Sequence, residues 1–279
     1  MSDAVSSPQS RGPCVFCDRS IPASDPPEHV IPTWMKRFRP KDAAFTGRLG
    51  IVTKGGLRGT FTQPSPLSMR PDITTDAVCR QCNDGWMSDL ETRASQLLPS
   101  MIAGERRGLI PEDHAFLAVW ATKTVMTWQT TNQQARPIPL ADYQWLRTQL
   151  IPSPLTLVQL GQFIGTAFPY FGYCQAHLWR GGDPDAPEHA TSDLTPPAHR
   201  EVLTIGPLMF EVFGSCDGVP VTHRFPDLPG DVMLDIWPGI GPSVWPPRLA
   251  FDDARLLRFL ELPAGSLADI IGNDIANPG

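Results

Sequence analysis

This 279-residue chain is organised around two short stretches: Cys14-Val15-Phe16-Cys17 and Cys79-Arg80-Gln81-Cys82. The two residues between the cysteines of each pair let one tight turn direct both sulfurs at the same ion. Four thiolates from two such pairs make a closed tetrahedral zinc site, which leaves no coordination position for water. The spacing therefore predicts one structural zinc bound by these four cysteines; the alternative is two unrelated pairs of buried thiols.

Each cysteine pair is accompanied by residues that carry chemistry. Glu28-His29-Val30-Ile31-Pro32 follows the first pair, and Asn83 comes directly after the second. If the zinc site forms, both stretches are anchored to a common point. An acid, an imidazole and an amide oxygen then come within reach of a second, catalytic metal.

The order CxxC, Glu-His-Val-Ile-Pro, CxxC-Asn resembles that of the HNH endonucleases, and the stretch from Cys82 to Glu91 resembles a bacterial subset of that family. The resemblance covers roughly residues 1–100. It implies a ββα-metal core, in which a β-hairpin and a helix surround one metal ion. It also implies that His29 is the general base and that Glu28 and Asn83 hold a catalytic Mg²⁺ or Mn²⁺ for metal-dependent hydrolysis of phosphodiester bonds.

The residue types suit these roles, but each also has a structural alternative. A histidine titrates in the range that deprotonation of water near neutral pH requires; the alternative for His29 is a hydrogen-bonded structural histidine. Hard oxygen donors suit Mg²⁺ or Mn²⁺; the alternative for Asn83 is a helix N-cap. Neighbouring residues on a strand point to opposite faces, so Glu28 and His29 do not share one direction. The resemblance implies that the acid turns towards the metal while the histidine faces the water.

One position departs from the family pattern. HNH cores usually carry an asparagine a few residues before the second cysteine pair, where it orients the histidine. The corresponding stretch, Pro71 to Val78, has no asparagine. Thr74, Thr75 or a backbone carbonyl can accept the imidazole N–H in its place.

Five basic residues are candidates for contacts with nucleic-acid phosphates: Lys36, Arg37, Arg39, Lys41 and Arg80. Such contacts position a nucleic acid without selecting its sequence; the alternative is a solvated charged face. The whole chain has a net charge of −6, but residues 1–110 hold 14 basic and 11 acidic residues, whereas residues 111–279 hold 9 and 18. The basic surplus thus lies with the motifs. For Glu91 we expect a salt bridge on the helix surface, with an extra acid at the site as the alternative.

The fold class predicted from the sequence is α+β, in two domains. Residues 1–13 are expected to be a disordered lead, 14–110 a small zinc-stabilised ββα-metal domain, and 111–279 an α+β domain with an antiparallel sheet and no assigned role. Within the second domain, Pro111-Glu112-Asp113 opens a helix, and Val202 to Phe213 is predicted to be a strand.

The remaining expectations concern location and partners. The chain has no apolar run of membrane-spanning length and begins without a signal-peptide pattern, which predicts a cytoplasmic protein with no membrane partner. The expected partner is nucleic acid, with DNA favoured over RNA. One rival function is a catalytically inactive zinc-knuckle module that binds nucleic acid or protein. Another is a defence-type effector whose C-terminal domain responds to a ligand or protein regulator.

Overall fold

The structure, a computed structural model, describes residues 10–38, 50–53, 58–61, 73–131, 138–166, 171–178, 198–216, 232–239 and 241–261. At the N-terminus, β1 (Ser10–Pro13) and β2 (Ser20–Pro22) form an antiparallel pair around the first cysteine pair. The expected disordered lead is therefore wrong for residues 10–13, because these residues pair with a second strand. The rest of that segment, residues 1–9, lies outside the described residues.

The candidate catalytic stretch forms β3 (Glu28–His29), followed by a 3₁₀ helix (Thr33–Phe38). A hairpin of β4 (Gly50–Thr53) and β5 (Arg58–Phe61) comes next. Strand β6 (Thr74–Thr75) then returns to pair antiparallel with β3. The second cysteine pair opens a helical segment that is interrupted once: α1 (Arg80–Cys82) leads into a π-helical turn (Asn83–Met87), Gly85 there has non-helical backbone angles, and α2 (Ser88–Ile102) follows this kink.

The rest of the chain contains three helices and seven strands in its described part: β7 (Arg107–Leu109), α3 (Pro111–Gln129), α4 (Leu140–Gln149), β8 (Thr156–Gln162), β9 (Phe171–Leu178), β10 (Ala198–Ile205), β11 (Leu208–Ser215), β12 (Met233–Trp237), β13 (Ser243–Trp245) and α5 (Asp253–Glu261). Five of these strands form one sheet in the order β12-β8-β11-β10-β9, and every neighbouring pair is antiparallel. The predicted mixture of helices with an antiparallel sheet is confirmed.

The predicted strand from Val202 to Phe213 is wrong, because the structure divides this stretch into β10 and β11. A two-residue turn separates them, and Gly206 there has φ +54°, a left-handed conformation that costs glycine little. Strand β10 also begins earlier than predicted, although its first residues include His199, Arg200 and Glu201. These three side chains are buried, and Arg200 Nε lies 2.7 Å from Glu211 Oε1, so charge pairing lets polar residues enter the sheet interior.

Helix α3 lies at the centre of the hydrophobic core. It is buried around most of its circumference, and its buried residues include polar side chains as well as apolar ones. It packs against α2 on one side and against strands of the five-stranded sheet on the other. One cluster of buried side chains therefore contains residues from both sides of position 110, including Phe16 of the first cysteine turn and Tyr143 of α4, whose ring centroids are 5.3 Å apart.

Candidate metal and nuclease site

The four cysteines of the two CxxC pairs meet at one point. Their sulfurs all lie within 4.8 Å of one another, with 3.5 Å between Cys17 and Cys79 and 4.0 Å between Cys14 and Cys82. A tetrahedron of Zn–S bonds of about 2.3 Å has edges of about 3.8 Å. The arrangement therefore fits a tetrahedral ion such as zinc, and the predicted convergence of the four cysteines is confirmed. Three of them are buried, and Cys17 is half-buried.

Backbone hydrogen bonds hold the two turns in place. In the first turn, Asp18 N–H donates to Cys14 C=O at 2.8 Å, and Asp18 has φ +60°. In the second turn, the N–H groups of Cys82 and Asn83 both donate to Cys79 C=O. Val15 N–H donates to Ala77 C=O at 3.0 Å and joins the first turn to the residues just before the second. The scaffold of the cluster is therefore built by the main chain.

The polar surroundings of the sulfurs favour one thiolate. A hydrogen bond with the Cys82 side chain lowers the pKa of the Cys14 thiol to about 4, and backbone N–H groups, among them that of Cys79, act in the same direction. Burial acts in the opposite direction. Burial raises the pKa of the Cys79 thiol, and the neighbouring Cys14 sulfur raises that of Cys82. A cation is the natural partner for such a cluster, because it stabilises all four thiolates together.

The pairing of β3 with β6 fixes the surroundings of Glu28 and His29. Glu28 is buried, with 7 % of its surface exposed, and lies opposite Thr75; His29 is half-buried and lies opposite Thr74. The Nδ1 atom of His29 is buried and has no hydrogen-bond partner among the described residues. An unpaired buried ring nitrogen is costly unless a ligand or water satisfies it, so this atom marks a polar site.

The two threonines proposed to orient His29 differ in their surroundings. Thr75 is buried; its Oγ1 is hydrogen-bonded to Thr130 Oγ1 at 2.7 Å and accepts from Ala77 N–H at 3.1 Å. Thr74 is exposed and is the cross-strand neighbour of His29. Because the Thr75 hydroxyl is already engaged by Thr130 and Ala77 and lies opposite Glu28, Thr74 is the better placed of the two to serve His29 through water.

Asn83 occupies the first position of the π-helical turn and is half-buried. It is not the N-cap of the helical segment, since Cys79 takes that position without a side-chain cap bond. Gly85, two residues after Asn83, has φ −97° and ψ −118°, which are not helical, so the chain changes direction within this turn. Within the described residues, the four cysteines are the only group of three or more His, Cys, Asp or Glu side chains close enough for one ion. Shared metal binding by Glu28 and Asn83 thus stays a prediction.

Charged neighbours act on the Glu28 carboxyl. Burial raises its pKa to about 6; Lys123 opposes this shift, whereas the negative charges of Glu91 and Asp84 add to it. Glu28 on β3 therefore interacts with charges on two other parts of the chain: Asp84 and Glu91 on the helical segment after the second cysteine pair, and Lys123 on α3. The contribution of α3 could not be expected from the N-terminal motifs alone.

Sequence reasoning misjudged the partner of Glu91 and missed Lys123. The expected salt bridge on the helix surface is wrong for Glu91: the partner is Lys123, which is fully buried, and 18 % of the Glu91 side chain is exposed. The available signal was a lysine at the centre of an apolar helix, since a buried lysine needs an anionic partner.

The candidate phosphate-binding residues differ in their settings. Lys36 and Arg37 are exposed, and the Arg37 guanidinium lies over the Phe38 ring at 4.7 Å. Arg80 is exposed but forms an ion pair with Asp84 at 2.9 Å. It borders a surface groove of about 440 Å³ beside the second cysteine turn. Arg39 and Lys41 lie outside the described residues.

Comparison with models of known protein families, with curated proteins and with solved structures finds no match to this chain. Across the described ranges, no helix combines the length and the apolar character needed to cross a bilayer.

Proposed function

We propose that this chain is an HNH-type, metal-dependent endonuclease that hydrolyses nucleic-acid phosphodiester bonds. Zinc at the four cysteines is the scaffold of the site, and DNA is the favoured substrate. The observation that carries the proposal is His29: its Nδ1 is buried and has no hydrogen-bond partner in the described part of the chain, it follows the buried Glu28 on β3, and the two cysteine turns flank this strand in the sequence.

His29 is the proposed general base. Its imidazole takes a proton from a water molecule, and the oxygen of that water forms a bond to phosphorus as the bond to the leaving oxygen breaks. The leaving oxygen then takes up a proton from solvent. Thr74, the cross-strand neighbour of His29, is the candidate to orient the ring in place of the usual asparagine.

Glu28 and Asn83 are the proposed ligands of a catalytic Mg²⁺ or Mn²⁺. A carboxylate and an amide oxygen fit such a hard ion, and only two protein ligands are needed because these ions keep several waters. When bound, the ion neutralises charge that develops on the phosphate oxygens. Burial raises the pKa of Glu28 to about 6, so a cation nearby would favour the ionised form of this ligand.

The phosphate backbone is expected to lie along the exposed basic residues of the 3₁₀ helix. Lys36 and Arg37 follow the catalytic strand within one short helix, and both are exposed. Their role is to hold the substrate by charge, which makes binding sensitive to salt and insensitive to sequence.

A plasmid-nicking assay tests the proposal. Zinc-loaded protein is incubated with supercoiled DNA in Mg²⁺ or Mn²⁺ and, separately, without added divalent ion. Nicking that requires the added ion and is lost in His29→Ala supports the proposal. Protein that retains its zinc and binds DNA but leaves the plasmid intact with either ion contradicts it.

A binding module without catalysis is the second candidate. The hydroxyl of Thr75 is already engaged by Thr130 and Ala77, and the stretch from Pro71 to Val78 contains no asparagine that could orient His29. Retention of DNA binding with no cleavage in any divalent ion would favour this candidate.

A further inference from the structure

The carboxylate of Glu91 accepts hydrogen bonds from three side chains. The indole N–H of Trp34 donates to Oε2 at 3.1 Å, and that of Trp120 lies 3.2 Å from both oxygens. The ammonium of Lys123 donates to Oε1. Both oxygens of Glu91 are thus engaged, which makes this carboxylate an anchor and not a metal ligand in this arrangement.

The residues that meet at Glu91 come from three elements of the candidate site. Trp34 belongs to the 3₁₀ helix that directly follows β3 and its Glu28 and His29. Glu91 itself lies in α2, about two helical turns after Asn83. Trp120 and Lys123 lie one turn apart on α3. One carboxylate therefore connects the element after Glu28, the helix after Asn83 and a helix from beyond residue 110.

Charge makes this connection specific. The Lys123 side chain has no exposed surface, and a buried ammonium needs an anion within bonding distance. Glu91 supplies that anion, while the buried carboxyl of Glu28 lies within electrostatic reach of both. Movement of Glu91 would leave a buried cation unpaired beside the candidate site, so the ion pair and the geometry around Glu28 are coupled.

We propose that Glu91 is a positioning residue of the candidate site, which holds the 3₁₀ helix, α2 and α3 in one arrangement and so fixes Glu28 relative to Asn83. Helix α3 then completes the site, and residues 14–110 alone do not. This inference rests on the proposed function, because it concerns the divalent ion assigned to Glu28 and Asn83.

Double variants of the full-length protein change Glu91 and Lys123 together, so neither charge is left buried without its partner. Glu91→Leu/Lys123→Met removes both charges at nearly constant volume and removes the acceptor for the indoles. Glu91→Gln/Lys123→Met removes the charges but keeps an oxygen that the two indoles can reach. Glu105→Gln is the matched control, since Glu105 is an exposed acid in the turn after α2.

The measurement is the dissociation constant for Mn²⁺, obtained by electron paramagnetic resonance on folded, zinc-loaded protein. Loss of a group that orients metal ligands typically weakens metal binding about 10- to 100-fold. We expect that range for the Leu/Met pair, a smaller but measurable weakening for the Gln/Met pair, and no change for Glu105→Gln. A merely structural role would lower the melting temperature and leave the Mn²⁺ constant of the folded protein unchanged.

The outcomes separate this inference from the proposed function. Wild-type protein that binds Mn²⁺, with a folded Leu/Met pair that binds it equally well, overturns the role of Glu91 and leaves the nuclease proposal in place. If the Leu/Met pair does not melt cooperatively, the Gln/Met pair is used in its place. An Mn²⁺ dissociation constant equal to that of wild type in the Gln/Met pair then overturns the positioning role of Glu91. Wild-type protein that binds no Mn²⁺ contradicts the catalytic metal site and this inference together.

Discussion

Lys123 Nζ donates a hydrogen bond to Glu91 Oε1, and the two residues lie on opposite sides of the predicted domain boundary at residue 110. The contact joins α3 of the C-terminal part to α2, the helix that the second cysteine pair opens. Phe16 and Tyr143, as well as Thr75 and Thr130, make further contacts across the same boundary. The candidate site is thus supported from both parts of the chain.

Glu91→Ala should destabilise the protein by about 3–5 kcal/mol, because it leaves the ammonium of Lys123 buried without an anion. The free energy of unfolding in urea measures this effect. Glu105→Ala, at an exposed position, is the control and should change stability by less than about 0.5 kcal/mol. A loss below about 1 kcal/mol for Glu91→Ala would mean that Lys123 is not held as described.

One zinc per chain is expected in freshly purified, reduced protein. Cys79→Ser should lose the metal and unfold the surrounding region, since structural zinc contributes on the order of 10 kcal/mol to the folded state. Elemental analysis and circular dichroism provide the readout. Cys216→Ser is the control, because Cys216 lies outside the cluster and should leave zinc content unchanged. Wild-type protein without zinc would contradict the metal assignment.

Removal of residues 1–110 tests the domain boundary. The sequence predicts a separate domain over residues 111–279, which would fold without the rest of the chain, and that boundary stays a prediction. The shared core predicts a different outcome, because the truncation exposes Trp120 and Tyr143, which are fully buried in the whole chain. Calorimetry of the fragment decides between them: the packing predicts no cooperative melt, and a sharp cooperative transition would favour an independent domain.

The stability of the protein should depend on pH through Glu28. Burial raises the pKa of Glu28 from 4.5 to about 6, so between these values the folded state binds more protons than the unfolded state. Stability is then lost as the pH rises through this window, by up to about 2 kcal/mol. Glu28→Gln should therefore be more stable than wild type at pH 7.5, and the difference should shrink towards pH 4.5.

Urea unfolding without added Mg²⁺ or Mn²⁺ measures this difference, with Glu105→Gln as the matched control. Equal stability of Glu28→Gln and wild type at pH 7.5 would show that the Glu28 carboxyl is not desolvated. Greater stability of wild type at that pH would contradict the direction of the shift.

Local patterns predicted the mixed helix and sheet content and the convergence of the four cysteines. The CxxC spacing predicted the convergence of four sulfurs from parts of the chain more than sixty residues apart. Pro111-Glu112-Asp113 correctly indicated the start of α3, because proline and acidic residues favour the first turn of a helix. Both signals act over a few residues, which is why sequence alone captures them.

Long-range charge pairing could not be predicted in the same way. Lys123 has no partner within its own helix, and only the fold brings Glu91 to it. Arg200 and Glu211 likewise pair across two strands, so a polar stretch became the buried start of β10. The partners of buried charges depend on tertiary contacts, and no local period reveals them.

The His29→Ala variant tests whether His29 is the general base of a nuclease. Its rate of plasmid nicking in Mg²⁺ or Mn²⁺ should fall about 10²- to 10⁴-fold, because the variant lacks the proton acceptor. Zinc content, melting temperature and DNA binding should stay near the wild-type values, since the cysteines and basic residues are unchanged. A folded, zinc-loaded His29→Ala protein that nicks DNA as fast as wild type would contradict the account.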